Sequence, residues 1–231
     1  MNIALVLSGG SGSRMQLNMP KQYVRVNNRM IITYVLEVLA EHETIDCIQI
    51  VSAQEFEKDI EKDISSCIFH GKEKFKGFSE PGKTRQLSIL SGLRDIKEYS
   101  SDNDIVLIQD AARPMVSTEQ ISACIEACIH HDGAMPVLPM KDTVYMSRDG
   151  RKVSDLVDRD MIYAGQAPEA FKLERYLEAN ESLLPDRIMS INGSTEPAVL
   201  AGLDIAMIPG DEKNFKITTI ADLERFKDIK R

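Results

Sequence analysis

Apolar residues follow two alternating rhythms along this chain. Residues 3–7 are wholly apolar and stop at Ser8-Gly9-Gly10, which predicts a strand buried on both faces and then a glycine turn. Residues 45–51, 104–108, 134–138 and 204–208 predict further strands. Between them the spacing turns helical. Residues 30–39 place Ile31, Tyr34, Val35, Val38 and Leu39 on one face, and residues 84–96 do the same with Leu87, Leu90, Leu93 and Ile96. Residues 54–64 form a charged helix with a thin apolar stripe, and short helices are expected at 172–179 and 221–229. Ser117 opens another helix that runs to about residue 129, with Glu119 and Gln120 placed as in a capping box. Strands and helices alternating in this way predict an α/β architecture, a mostly parallel central sheet with right-handed crossovers.

The rhythm breaks over residues 139–166. There, residues 142–147 and 152–156 flank Arg148-Asp149-Gly150, a hairpin turn signal. A hairpin inserted at this point is expected to project from the sheet as an arm and to meet a second subunit, the alternative being an edge hairpin folded down on the domain. No Gly-, Ser- or Pro-rich linker interrupts the chain, so residues 1–231 are expected to form a single domain.

Charge narrows the choice of partner. The chain has 28 Lys+Arg against 36 Asp+Glu, a net charge of −8. That balance argues against a nucleic-acid binder, yet it leaves room for one cationic pocket around a small anion. Cys47, Cys67, Cys124 and Cys128 form no CxxC pair and have no His at metal-site spacing. Free thiols suit a reducing cytoplasm, the expected location. Cys124 and Cys128 lie one helical turn apart and are expected to share a packed face. Residues 1–7 lack the basic start of a signal peptide. No apolar run approaches the roughly 18 residues of a membrane span, so no membrane partner is expected.

Candidate chemistry gathers at the ends of the predicted strands. Gly9, Gly10 and Gly12 follow a buried strand and would let backbone N–H groups approach a phosphate closely. Arg14, and Lys21 in Pro20-Lys21-Gln22-Tyr23, add two cations at once. Asp110, in Asp110-Ala111-Ala112-Arg113-Pro114, falls at the carboxyl end of a predicted strand, where open α/β sheets bind ligands. It could hold a metal or a sugar hydroxyl, or cap the next turn, and Arg113 would face a second anion. Asp142-Thr143, Arg159-Asp160, Gln166-Ala167-Pro168 and Asn214-Phe215-Lys216-Ile217-Thr218-Thr219 are weaker candidates, because a lone charge is more often a solvated one.

A competing motif lies between these. Gly77-Phe78-Ser79-Glu80-Pro81-Gly82-Lys83-Thr84 matches the GxxxxGK[ST] phosphate loop letter for letter. A true phosphate loop follows a buried strand. Here the preceding residues, 70–76, are too charged for a central strand, and the N-terminal glycine loop would be left unexplained. A P-loop NTPase using Gly77 to Thr84 is therefore the alternative rather than the main reading.

Taken in order, the motifs resemble the CTP-dependent polyol-phosphate cytidylyltransferases, whose members act on 2-C-methyl-D-erythritol 4-phosphate or ribitol 5-phosphate. The resemblance spans nearly the whole chain: the glycine loop with Arg14, then PKQY, Arg85–Ser88–Gly92-Leu93, DAARP, Asp142-Thr143, Arg159, Gln166 to Phe171, and NxKIT. It implies a Rossmann-like fold of the nucleotide-diphospho-sugar transferase type. It also implies a homodimer joined through the 139–166 arm, and transfer of CMP from CTP with release of pyrophosphate. Mg2+ or another divalent cation would be the cofactor, placed with the help of Asp110. Arg14, Lys21 and Lys216 would be catalytic. Ser8, Gly9, Gly10, Gly12, Gly82, Ser88 and Asp110 would bind the nucleotide. Arg113, Thr143, Arg159 and Lys216 would surround the acceptor phosphate, with Arg159 reaching the neighbouring subunit's site. A relative that binds the nucleotide without turnover is the other alternative.

The chemistry agrees with the residue types. The nucleophile would be a phosphate monoester, whose second pKa of about 6 leaves it ionised at neutral pH, so no general base is required. His42, His70, His130 and His131 indeed lie outside every motif. Several positions depart from the methylerythritol pattern, among them Lys83, Tyr145, Ala167, the 192–196 segment and Lys213. Most lie on the acceptor side.

Overall fold

The computed structural model describes residues 1–10, 19–66 and 70–231. Gly12, Arg14 and Cys67 lie outside the described residues. The strands are β1 (Asn2–Leu7), β2 (Arg25–Val26), β3 (Arg29–Met30), β4 (Cys47–Val51), β5 (Phe75–Ser79), β6 (Ile105–Asp110), β7 (Gly133–Pro139), β8 (Val144–Met146), β9 (Asp155–Val157), β10 (Tyr163–Gly165), β11 (Glu169–Lys172) and β12 (Ile205–Pro209). The helices are α1 (Ile31–Glu41), α2 (Gln54–Ile64), α3 (Arg85–Lys97), α4 (Thr118–Ala127), α5 (Leu173–Glu181), α6 (Glu196–Leu200) and α7 (Ile220–Ile229).

The central sheet runs β5-β4-β1-β6-β11-β7, with β10 and β12 also paired to β7. β1 lies parallel between β4 and β6, and β5 extends the parallel run at one edge. β11 and β10 run antiparallel to their neighbours. This is a mostly parallel, Rossmann-like sheet flanked by helices.

Alternation along β1 divides the core in two. Ala4 and Val6 pack with α1 and α4 through Val35, Leu39, Ile121 and Cys124. Ile3 and Leu5 pack on the other face with Leu90 and Leu93 of α3 and Tyr176 of α5. Cys124 and Cys128 do share one packed face, and both thiols are free. A smaller cluster ties α7 to α1 through Tyr34 and Phe226, whose rings meet edge to face at 5.1 Å.

Several elements differ from the sequence pattern. Ser117 accepts from Gln120 N, but the Gln120 side chain makes no return bond, so the expected capping box is only half formed. The complete box is at Thr219 and Asp222 and opens α7. β2 and β3 form a tight hairpin through Asn27 and Asn28, both at positive φ, the Asn-rich signature of a type I′ turn. β5, β10 and β11 were not expected: each is short, and β5 follows the charged residues 70–74. The arm hairpin is shorter than expected, pairing Val144–Met146 with Asp155–Val157 across a long turn. There Asp149 Oδ1 accepts from the backbone N–H groups of Arg151 and Lys152. This hairpin pairs only with itself and leaves Tyr145, Met146 and Leu156 exposed, as is Met161 in the 3-10 turn Arg159–Met161 that follows. Among the described residues no helix is long and apolar enough to cross a membrane.

Candidate active site

Three loops meet at the carboxyl edge of the parallel strands. β1 ends at Leu7 and continues into Ser8, Gly9 and Gly10. β5 ends at Ser79, and residues 80–84 lead into α3. β6 ends at Asp110 and continues into Ala111 and Ala112. Together with Lys21 and Lys216 they line a cleft of about 480 Å3. Two glycines make the close approach possible. A Cβ on Gly9 would sit 2.6 Å from Cβ of Pro81, and one on Gly82 would sit 2.4 Å from Cβ of Leu87. Ser88 braces the second loop: its Oγ accepts from Gly82 N at 3.0 Å and donates to Thr84 O at 3.0 Å.

Asp110 is the electrostatic centre of the cleft. Its Oδ1 accepts from Arg85 Nη2 at 2.9 Å and its Oδ2 from Lys216 Nζ at 2.8 Å. Arg113 Nε lies 3.6 Å from Oδ2. Burial alone would push this carboxyl up; Arg85 and then Lys216 overrule burial and hold it well below the usual carboxylate range. Glu169, also buried, shows the opposite balance. Burial raises it, and neither Arg85 nor the bond from Ser194 offsets that. The Arg113 guanidinium is pulled down by burial, with Asp110 opposing.

Lys216 is held by its loop. Ile217 N donates to Ala112 O at 2.8 Å, and Arg113 Nη1 donates to Asn214 O at 2.7 Å. Asn214 in turn donates to Ala167 O at 2.8 Å. Asp222 closes the far side, accepting from the backbone N–H groups of Thr218 and Thr219 at 2.9 and 2.8 Å. Bonds to three carboxyl-edge partners therefore fix where the ammonium starts.

Of the residues singled out from sequence, Gly9, Gly10, Lys21, Gly82, Ser88, Asp110 and Lys216 come together in this cleft. Others do not. Ser8 is buried behind the loop, and its hydroxyl donates to Val51 O at 2.7 Å. Arg113 acts as an internal strut rather than as part of the lining. Thr143 and Arg159 sit on the exposed arm, outside the cleft of their own chain, where Arg159 donates to Lys141 O. The phosphate-loop match loses its geometry: Gly77 lies inside edge strand β5, so only residues 80–84 are loop. Arg85, Gln22, Thr218 and Asp222 gain roles that the sequence reading had not assigned. The Thr-x-x-Asp spacing of Thr219 and Asp222 ahead of an apolar helix would have flagged the last of these.

Both carboxylate oxygens of Asp110 are engaged by cations of the cleft. Among the described residues no cluster of three or more His, Cys, Asp or Glu could hold an ion. Among the described residues Asp110 is the one acidic side chain lining the cleft, and cations occupy both its oxygens. A divalent ion bound directly to an Asp110 oxygen would share it with Arg85 or Lys216, whereas one carried on nucleotide phosphates need not touch either.

The sheet order, the glycine loop and the cation-ringed carboxyl edge define a Rossmann-like nucleotidyltransferase fold. The sequence model of the 2-C-methyl-D-erythritol 4-phosphate cytidylyltransferase family matches residues 2–230, and the chain belongs to that family. It is 32% identical over 230 residues to a ribitol-5-phosphate cytidylyltransferase of Vibrio parahaemolyticus, covering 99% of this chain and 95% of that one. It is also 32% identical to a 2-C-methyl-D-erythritol 4-phosphate cytidylyltransferase of Lachnospira eligens, covering 97% and 96%. The fold superposes on the crystal structure of 4-diphosphocytidyl-2C-methyl-D-erythritol synthase from Anaerococcus prevotii with a TM-score of 0.82. That pair is 23% identical, with 100% of this chain and 96% of that one covered.

Proposed function

We propose that the cleft binds CTP and a polyol phosphate of the methylerythritol phosphate or ribitol phosphate type, and transfers CMP to the acceptor with release of pyrophosphate. The observation that carries this reading is the convergence of Lys21, Arg85 and Lys216 on a glycine-lined cleft, with Asp110 between two of them.

The chemical difficulty is to bring a dianion onto a polyanion, and fixed cations answer it. Lys21 faces the phosphates beside the glycine loop. Lys216, held on Asp110, would receive the acceptor phosphate. The acceptor oxygen is ionised already, so the chain supplies position and charge rather than a proton carrier. Attack at the α-phosphorus is in line: the new P–O bond forms as the bond to pyrophosphate breaks.

The arm completes the reading. Thr143 and Arg159 lie away from their own cleft, and the arm exposes Tyr145, Met146, Leu156 and Met161. We infer that the arm packs on a second copy of the chain and delivers Thr143 and Arg159 to that copy's acceptor site.

A pyrophosphate-release assay with CTP against methylerythritol phosphate, ribitol phosphate and other polyol phosphates tests the function. The expected outcome is release only when one acceptor is present. ATP or GTP hydrolysis without acceptor would favour the phosphate-loop alternative. A CTP-dependent rise in melting temperature without turnover would leave a nucleotide-binding relative.

A further inference from the structure

The short 3-10 helix Lys21–Tyr23 does more than carry Lys21. Gln22 is only 3% exposed. Its amide donates to Ser8 O at 2.5 Å and to Gly10 O at 2.8 Å, which uses both of its hydrogens. Tyr23 OH donates to the same Ser8 oxygen at 2.9 Å and lies 3.0 Å from Ser52 Oγ. Both lone pairs of the Ser8 carbonyl are therefore taken from one side.

A trans peptide is planar, with its N–H opposed to its C=O. The Ser8 carbonyl shares its peptide plane with the Gly9 N–H. Holding that oxygen against Gln22 and Tyr23 turns the Gly9 N–H the other way. Gly9 and Gly10 line the cleft, as do Lys21 and Gln22. Glycine has no side chain to fix its own backbone, and an unclamped turn would sample several orientations.

We propose that Gln22 is a positioning residue that sets the direction of the Gly9 peptide, and so presents the Gly9 N–H to the nucleotide beside the Lys21 ammonium. This rests on the reading of the cleft as a CTP site. The clamp acts on the nucleotide side alone: neither of its bonds touches Asp110, Lys216 or the loop that carries Lys216.

The test uses the full chain with Gln22→Met, which keeps length and volume but removes the donors, and Gln22→Glu, which sets a carboxylate against two carbonyl oxygens. Steady-state kinetics are read for CTP and acceptor separately, beside CTP-induced thermal shifts. A hydrogen bond that orients a donor toward a charged group supports an expected rise in KM for CTP of about tenfold or more. KM for the acceptor should change by less than about threefold in Gln22→Met, and the CTP-induced thermal shift should shrink. An unchanged KM for CTP in Gln22→Met overturns the proposal, and so does an equal rise in both KM values, the mark of a merely structural role. If Gln22→Met fails to fold, Gln22→Glu is read by the same two criteria. A wild-type chain that shows no thermal shift with CTP would instead overturn the function on which the proposal rests.

Discussion

Lys216 donates to the Asp110 carboxylate across 2.8 Å, from a loop more than a hundred residues further along the chain. With Arg85 on the other oxygen, Asp110 organises two cations of the cleft from one buried point. Removing it leaves those cations facing each other without a counter-charge. Asp110→Ala is expected to cost about 3 kcal/mol of stability, the scale of a broken buried pair. Asp110→Asn keeps the shape and is expected to lower kcat by at least about 10²-fold, the effect of losing one preorganised charge contact. Denaturant unfolding and steady-state kinetics on both variants check this, and wild-type turnover in Asp110→Asn would remove Asp110 from the machinery.

Lys83 completes the letters of a phosphate-loop motif but not its geometry. It is exposed, and the first glycine of the match is held in strand β5. Lys83→Ala should leave kcat within about tenfold of wild type, where loss of an oxyanion-type contact would exceed that. Complete loss of activity would restore the phosphate-loop alternative.

On the arm, Tyr145 and Leu156 are paired across β8 and β9, and both are more than half exposed. An apolar pair left in water is suited to burial by a second subunit. Light scattering should find the wild-type chain as a dimer and the double variant Tyr145→Asp, Leu156→Asp as a folded monomer with strongly reduced activity. A double variant that remains dimeric would place the interface elsewhere.

Glu169 gives a pH dependence of defined sign. Its carboxyl is raised by burial, with Arg85 and Ser194 opposing incompletely. Unfolded, it titrates near pH 4.3, so ionisation costs the folded state more than the unfolded one. The penalty is absent below that pH and grows as pH rises through the folded value. Glu169→Gln retains an acceptor for the Ser194 hydroxyl and carries no charge. Its melting temperature should therefore gain on that of wild type as pH rises above about 4. A constant difference across that range would show that Glu169 does not titrate in the fold.

What the sequence disclosed follows from how locally each feature is encoded. β1, β6 and β7 hold continuous apolar runs and β4 is broken only at Gln49, and their burial on both faces leaves a signature that needs no partner to be recognised. β11 spans only four residues between two strands far away in sequence, so nothing local marks it. The cleft was legible as glycines and cations at strand ends, because the carboxyl edge of a parallel sheet is where ligands sit. The bonds inside it were not. That Asp110 would be saturated by Arg85 and Lys216, or that Ser8 would turn its hydroxyl to Val51, depends on contacts between residues from 25 to 106 positions apart.

The contact between Gly9 and Pro81 limits how this cleft can evolve. The two loops stand so near that even one added carbon at position 9 meets the proline ring. The gap between them therefore cannot be widened by degrees from that side, since every replacement for glycine brings at least that carbon. Change has to enter through the opposite lip, where Lys83 is exposed and stands one residue beyond Gly82. Gly82 beside it is held by Leu87 as tightly as Gly9 is by Pro81, so relatives with different appetites should agree at both glycines and differ at position 83.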